Sequence, residues 1–152
     1  MALFGTNGVH GIVNEYITPE LAVNLARSLG TYMGSKGTVA IGCDTRISGQ
    51  MLKFAAISGA LSTGPTVIDV GTVPTPSIQY YVRDHADAGI VLTASHNPRQ
   101  YNEIKFIAGD GSEFSRDGEK DLEKIYYAGK YSIVSWEKTG NSVTILESMN
   151  TT

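Results

Sequence analysis

Cysteine is nearly missing from this chain. Cys43 is the only one among 152 residues, so no internal disulfide can form. It lies in the apolar run Val39-Ala40-Ile41-Gly42-Cys43, where a small buried side chain is the simplest reading. Long hydrophobic runs are missing too. No stretch approaches the roughly eighteen apolar residues of a membrane-spanning helix, and Met1-Ala2-Leu3-Phe4-Gly5 lacks the basic and apolar regions of a secretory leader. Together these absences predict a cytoplasmic protein with no membrane partner. There is no basic excess either. Lys and Arg number 12 against 15 Asp and Glu, a formal charge of −3, which excludes the electrostatic footprint of a general nucleic-acid binder. No internal repeat or low-complexity segment interrupts the chain, whose 41% hydrophobic content suits one globular domain.

What is present is an alternation of helical and strand patterns. Thr18-Pro19-Glu20, a capping residue followed by proline, opens a helix over 18–34 with Leu21, Ala22, Leu25, Ala26, Leu29 and Met33 at helical spacing. The short apolar run 38–43 does not alternate, which predicts a strand covered on both faces and paired in parallel. Residues 48–63 predict a second helix capped by Ser48, and 66–71 a second strand. Thr75-Pro76 repeats the cap-then-proline signal for a short helix, and 88–93 read as a third strand. Strands alternating with helices predict a doubly wound α/β sheet. Residues 104–108 follow after a loop too short for a crossover helix, so they are expected to return antiparallel. A last helix near 117–128 and a short strand through Val143-Thr144-Ile145 complete the expectation. This is a three-layer α/β/α sandwich on a mixed, mostly parallel sheet, forming one domain over 1–147, with 148–152 starting a linker to a second domain.

One serine stands out by position. Thr93-Ala94-Ser95-His96-Asn97-Pro98 follows the apolar run 88–92 directly, so Ser95 falls where a central strand meets the crevice in which α/β sheets bind ligands. Asn97-Pro98 bends the chain away, which predicts that Ser95 is presented rather than packed. A serine in a turn commonly does no more than cap its own backbone, and the surrounding sequence decides between the two readings.

Four words in order carry a resemblance: Phe4-Gly5-Thr6-Asn7-Gly8-Val9-His10-Gly11, Asp44-Thr45-Arg46-Ile47-Ser48-Gly49, Gly71-Thr72-Val73-Pro74-Thr75-Pro76, and the Ser95 word with Asn102 and Lys105 beyond it. Over residues 3 to 114 the chain resembles the α-D-phosphohexomutases, the group of phosphoglucomutases, phosphomannomutases and phosphoglucosamine mutases. Those enzymes have four domains, of which this chain resembles the first. The resemblance implies that Ser95 is phosphorylated at rest and passes its phosphoryl to a hexose monophosphate. A hexose 1,6-bisphosphate then reorients and returns its other phosphoryl to the serine, exchanging 1-phosphate for 6-phosphate. It further implies Lys105 as phosphate contact or acid/base, His96 in support of the phosphoserine, His10 near it, and Asn102 and Arg46 as further phosphate contacts. Read from the residues alone, Arg46 fits a structural ion pair at a strand end better, and Lys105 could lie along a strand edge with its amine in water.

Two positions depart from the pattern. His10 stands where the family usually has arginine, so the permanent charge and bidentate fork are replaced by an imidazole that a nearby phosphate would protonate. Glu103 stands where the family usually has glycine, and its carboxylate is expected to point to solvent. The family also uses Mg²⁺, held by the phosphoserine and by three aspartates of a second-domain loop. No such loop occurs here, and Asp110-Gly111-Ser112-Glu113 reads as a turn. The expected partners are a hexose phosphate and the remaining domains of the same polypeptide, without which this piece is expected to be inactive. The rival reading is a non-catalytic sugar-phosphate-binding or scaffolding paralogue. A serine hydrolase is disfavoured because no G-x-S-x-G elbow is present and because neighbours along an extended chain, such as Ser95 and His96, face opposite ways.

Overall fold

The computed structural model describes residues 3–5 and 8–145; the expected domain end and linker at 146–152 lie outside the described residues. Its elements run β1 (Val9–Ile12), α1 (Pro19–Tyr32), β2 (Thr38–Cys43), α2 (Gly49–Ser62), β3 (Thr66–Thr72), α3 (Thr75–His85), β4 (Ala88–Leu92), β5 (Tyr101–Ile107), α4 (Arg116–Ala128), a single 3-10 turn at Trp136–Lys138 and β6 (Ser142–Thr144). The six strands form one sheet in the order β1-β5-β4-β2-β3-β6. Pairings among β4, β2, β3 and β6 are parallel, whereas β5 is antiparallel to both β4 and β1. The mixed α/β/α sandwich expected from the sequence is the fold observed.

The side-chain period of two divides the core between the faces of the sheet. Val39, Ile41 and Cys43 of β2, with Ala88, Ile90 and Leu92 of β4, point to α1, α2 and α4. Ala40 and Val91 point the other way and meet Ile78 and Val82 of α3. Helix α3 lies close against the strands because Gly89 carries no side chain; a Cβ there would stand 2.7 Å from Val82 Cγ2. Both central strands are buried nearly end to end, as their unbroken apolar runs require. A buried ion pair, Lys53 Nζ to Asp69 Oδ1 at 3.0 Å, ties α2 to β3. Removing one partner would strand the other, at a cost of about 3–5 kcal/mol. No helix among the described residues is long and apolar enough to cross a membrane.

Some boundaries differ from the sequence reading, each for a local reason. Thr18 does cap α1, accepting a hydrogen bond from the Leu21 N–H at 3.1 Å. Ser48 does not cap α2: its backbone is helical, and its hydroxyl instead accepts from Asn102 Nδ2 at 2.9 Å. Thr75 is already inside α3, whose capping position is Pro74. Strand β1 was hidden inside the first word, since four residues including a glycine, at the sheet edge, carry too little pattern to announce a strand. The last strand spans Ser142–Thr144, one residue earlier than expected, and Ile145 donates its N–H to the Asp69 carbonyl at 3.1 Å.

Candidate active site

The order of strands decides where a crevice can open. From β2 the chain crosses through α2 to β3 on one side, then returns through α3 to β4 on the other, so the loops leaving β2 and β4 diverge at their carboxyl ends. At that point lies a cleft of about 430 Å³ lined by Asp44, Thr45, Arg46, Ile47, Ser95, Asn97 and Arg99. Ser95 stands on its wall, exposed, in a turn with φ of +48°. That left-handed conformation costs a residue with a Cβ of the order of 1–2 kcal/mol, so the surroundings must hold it.

Arg46 supplies the hold. Its Nη1 donates to the carbonyls of Pro98 at 2.6 Å and Tyr101 at 3.0 Å, and its Nη2 to those of Ser95 at 3.1 Å and Asn97 at 2.5 Å. Asp44 sets the guanidinium in place, with Oδ2 at 3.6 Å from Nε and Oδ1 accepting the Arg46 N–H at 3.0 Å. The same carboxylate accepts the Thr93 hydroxyl at 2.9 Å, so the loop after β2 and the loop after β4 are joined through one residue pair. Asn97 closes the turn from within, its amide and its backbone N–H both donating to the Ala94 carbonyl. The structural ion pair that the residues alone favoured for Arg46 is present, made with Asp44. All four N–H groups of its two terminal nitrogens are taken by backbone carbonyls, and the residue acts as the clamp of the Ser95 loop.

Asn102, expected as a further phosphate contact, has its side chain engaged within the fold. It is fully buried, donates to Ser48 and accepts the Glu103 N–H at 2.8 Å, which fastens β5 to the start of α2. His96 is exposed and does not line the cleft. Because Ser95 and His96 form a turn, the argument from opposite faces of an extended chain does not apply to them; what separates them is that only Ser95 lines the cleft. Arg99, which does line it, was passed over in the sequence, where an arginine after proline in a loop carries no pattern of its own.

Lys105 belongs to a different environment. Its side chain, 17% exposed, lies beside a small polar pocket of about 90 Å³ with Gly8, Glu113, Arg116 and Glu119, and its Nζ stands 3.6 Å from Glu113 Oε1. Glu103 is two residues away on the same face of β5 and is paired across the strands with His10. The expectation that Glu103 points to solvent is therefore corrected. It is half-buried; burial raises its carboxyl above the ordinary glutamate value, while Lys105 and His10 pull it down. Glu119, buried at the start of α4, is raised by burial as well and accepts a hydrogen bond from the Gly8 backbone. The site residues expected from the sequence thus fall into two groups: Ser95 and Arg46 at the cleft, where Arg99 joins them, and Lys105, His10 and Glu103 around β5, where Glu113 joins them.

Among the described residues no three or more His, Cys, Asp or Glu side chains converge as metal ligands, and the Asp44 carboxylate is already occupied. The residues present do not by themselves fit Mg²⁺, which prefers several oxygens in near-octahedral array.

Comparison with known proteins agrees with this architecture. Residues 1–132 match the family described as phosphoglucomutase/phosphomannomutase, alpha/beta/alpha domain I. A probable phosphoglucosamine mutase of Pyrococcus horikoshii is 49% identical over 142 residues, covering 93% of this chain and 31% of the relative. A phosphoglucomutase/phosphomannomutase of Thermococcus kodakarensis is 46% identical over 143 residues, 91% of this chain and 31% of the relative. Among solved structures, a phosphoglucomutase/phosphomannomutase family protein from Burkholderia thailandensis superposes with a TM-score of 0.81 at 25% identity, over 96% of this chain and 34% of that one. The chain therefore spans about a third of the length of these proteins. With its sheet order, its cleft and these matches in agreement, the chain belongs to the phosphoglucomutase/phosphomannomutase family, as the α/β/α first domain of a phosphohexomutase.

Proposed function

We propose that this domain carries the phosphoserine of an enzyme that interconverts hexose 1-phosphate and hexose 6-phosphate, with Ser95 as the carrier. One observation supports this most: Ser95 is exposed on the wall of the cleft at the switch point, in a strained turn that Arg46 holds through four carbonyls. Strain of that kind persists where a side chain has to be displayed in one direction. In the forward transfer a free hydroxyl of the hexose monophosphate attacks the phosphorus on Ser95. The new P–O bond to the sugar forms as the bond to Ser95 Oγ breaks, the attacking hydroxyl gives up its proton, and the Ser95 oxygen gains one. The bisphosphate then turns over and returns its other phosphoryl by the reverse steps. Little covalent work falls to the protein, and in-line positioning supplies most of the rate. Lys105 is the acid/base or phosphate contact of this reading, which requires it to leave Glu113 for the reacting groups when the domains assemble. Mg²⁺ would complete its ligands from another domain.

The test is covalent. Intact and peptide masses of the full-length protein should show one phosphoryl group, on Ser95, and Ser95→Ala should remove both the label and turnover. Normal mutase activity in Ser95→Ala would overturn the reading. A second reading, a sugar-phosphate binder without turnover, is favoured by the Glu103 carboxylate facing His10 and Lys105. Activity that rises in the His10→Arg, Glu103→Gly double variant of an otherwise inactive protein would support that second reading.

A further inference from the structure

Two arginines line the Ser95 cleft, and the structure gives them different tasks. Arg46 has its terminal nitrogens on four carbonyls and its Nε beside Asp44, whose charge balances its own. Arg99 is exposed on the same wall, and among the described residues no carboxylate, carbonyl or ring engages its guanidinium. The lining holds one carboxylate, Asp44, and two guanidinium groups, so the uncompensated charge of the cleft is that of Arg99. Its backbone is not loose. Arg46 grips the carbonyls of Pro98 and Tyr101 on either side of it, and the Tyr101 N–H donates to the Pro98 carbonyl at 3.0 Å, closing the turn that carries Arg99. A free guanidinium on an anchored turn, in a cleft shared with an exposed serine, is arranged to accept two oxygens of a phosphate through its planar fork.

We infer that Arg99 is the anion-binding residue of this cleft and receives a phosphate monoester dianion. The inference rests on the reading of Ser95 as phosphoryl carrier. The dianion has two sources, the phosphate of the incoming hexose phosphate and the phosphoryl on Ser95 itself, and the two arms of one experiment tell them apart. In the first arm, inorganic phosphate is titrated into the unphosphorylated chain while the backbone N–H signals of Ser95, His96, Asn97 and Arg99 are followed by NMR. Arg99→Gln should weaken binding by about tenfold, the scale of one charge-assisted hydrogen-bonded pair, with Arg99→Lys in between. In the second arm, ³¹P NMR follows the second ionisation of phospho-Ser95. A guanidinium resting on that phosphoryl holds its pKa down, so Arg99→Gln should raise it.

A shift in the first arm assigns Arg99 to the incoming ester, and a shift in the second assigns it to the phosphoserine. Unchanged phosphate affinity together with an unchanged phosphoserine pKa would overturn the inference, provided that the thermal midpoints match and the fold is intact. If Ser95 takes up no phosphoryl in any variant, the carrier reading fails instead. The first arm needs no phosphoserine and still decides the role of Arg99.

Discussion

The loop that carries Ser95 and the strand β5 that carries Lys105 belong to one sheet, yet the two side chains are set in opposite ways. The Ser95 loop is fixed by hydrogen bonds from one cation to backbone carbonyls, contacts that keep their geometry whatever the side chains around them do. The Lys105 side chain is set by other side-chain charges, with Glu113 at 3.6 Å, Glu103 two residues away and His10 across the strands. Partly exposed ion pairs contribute only about 0–1 kcal/mol and rearrange easily. The first region is built to display a group without moving it. The second can release a lysine at small cost, which suits a residue that must change partners when substrate and further domains arrive.

Removing the clamp should break this contrast with the largest effect. Arg46→Ala removes four hydrogen bonds to the loop carbonyls, leaving that of Pro98 only its Tyr101 N–H, and should destabilise the domain by about 3 kcal/mol. Phosphoryl uptake on Ser95 should fall by two orders of magnitude, and amide exchange over 95–101 should accelerate. Denaturant unfolding and exchange mass spectrometry would read this out, and an unaltered loop would show that Arg46 is not what holds it. Arg46→Lys should recover little, because an ammonium cannot span four carbonyls.

A smaller effect separates strain from chemistry at Ser95. Glycine adopts positive φ freely, so Ser95→Gly should be more stable to denaturant than Ser95→Ala by about 1 kcal/mol of unfolding free energy, while both lose the carrier oxygen. Equal midpoints would mean that the turn relaxes once the serine is gone.

The smallest effect concerns the charged face of β5. Burial holds the Glu103 carboxyl above the ordinary 4.5, so the folded state binds its proton more tightly than the unfolded state does. The stability due to this group is therefore fully present below the unfolded pKa and is lost as pH rises through the folded one. Glu103→Gln should match the parent's melting temperature near pH 4 and exceed it at pH 7. A difference that stayed constant with pH would mean that His10 and Lys105 offset the burial of Glu103 in full.

The sequence was enough to place the four helices and the strands other than β1. The apolar runs 38–43 and 88–92 do not alternate, and only a strand covered on both faces has a use for such a run. The return of β5 follows from a loop too short for a helix, and the exposure of Ser95 from its place between a buried strand and Asn97-Pro98. These are properties of neighbours along the chain, or of a period that a strand or helix imposes, so one dimension holds them. The partners of Arg46, Asn102 and Glu103 are of another kind. Arg46 meets carbonyls about fifty residues away, Asn102 meets Ser48, and Glu103 meets His10 across a strand whose four residues gave no signal. Whether a polar side chain is free for chemistry or already engaged depends on which distant donors and acceptors the fold brings to it. A motif names the side chain but not its partner. That is why Ser95 could be found by reading, while the division of labour between Arg46 and Arg99 emerged only when the loops after β2 and β4 were brought together.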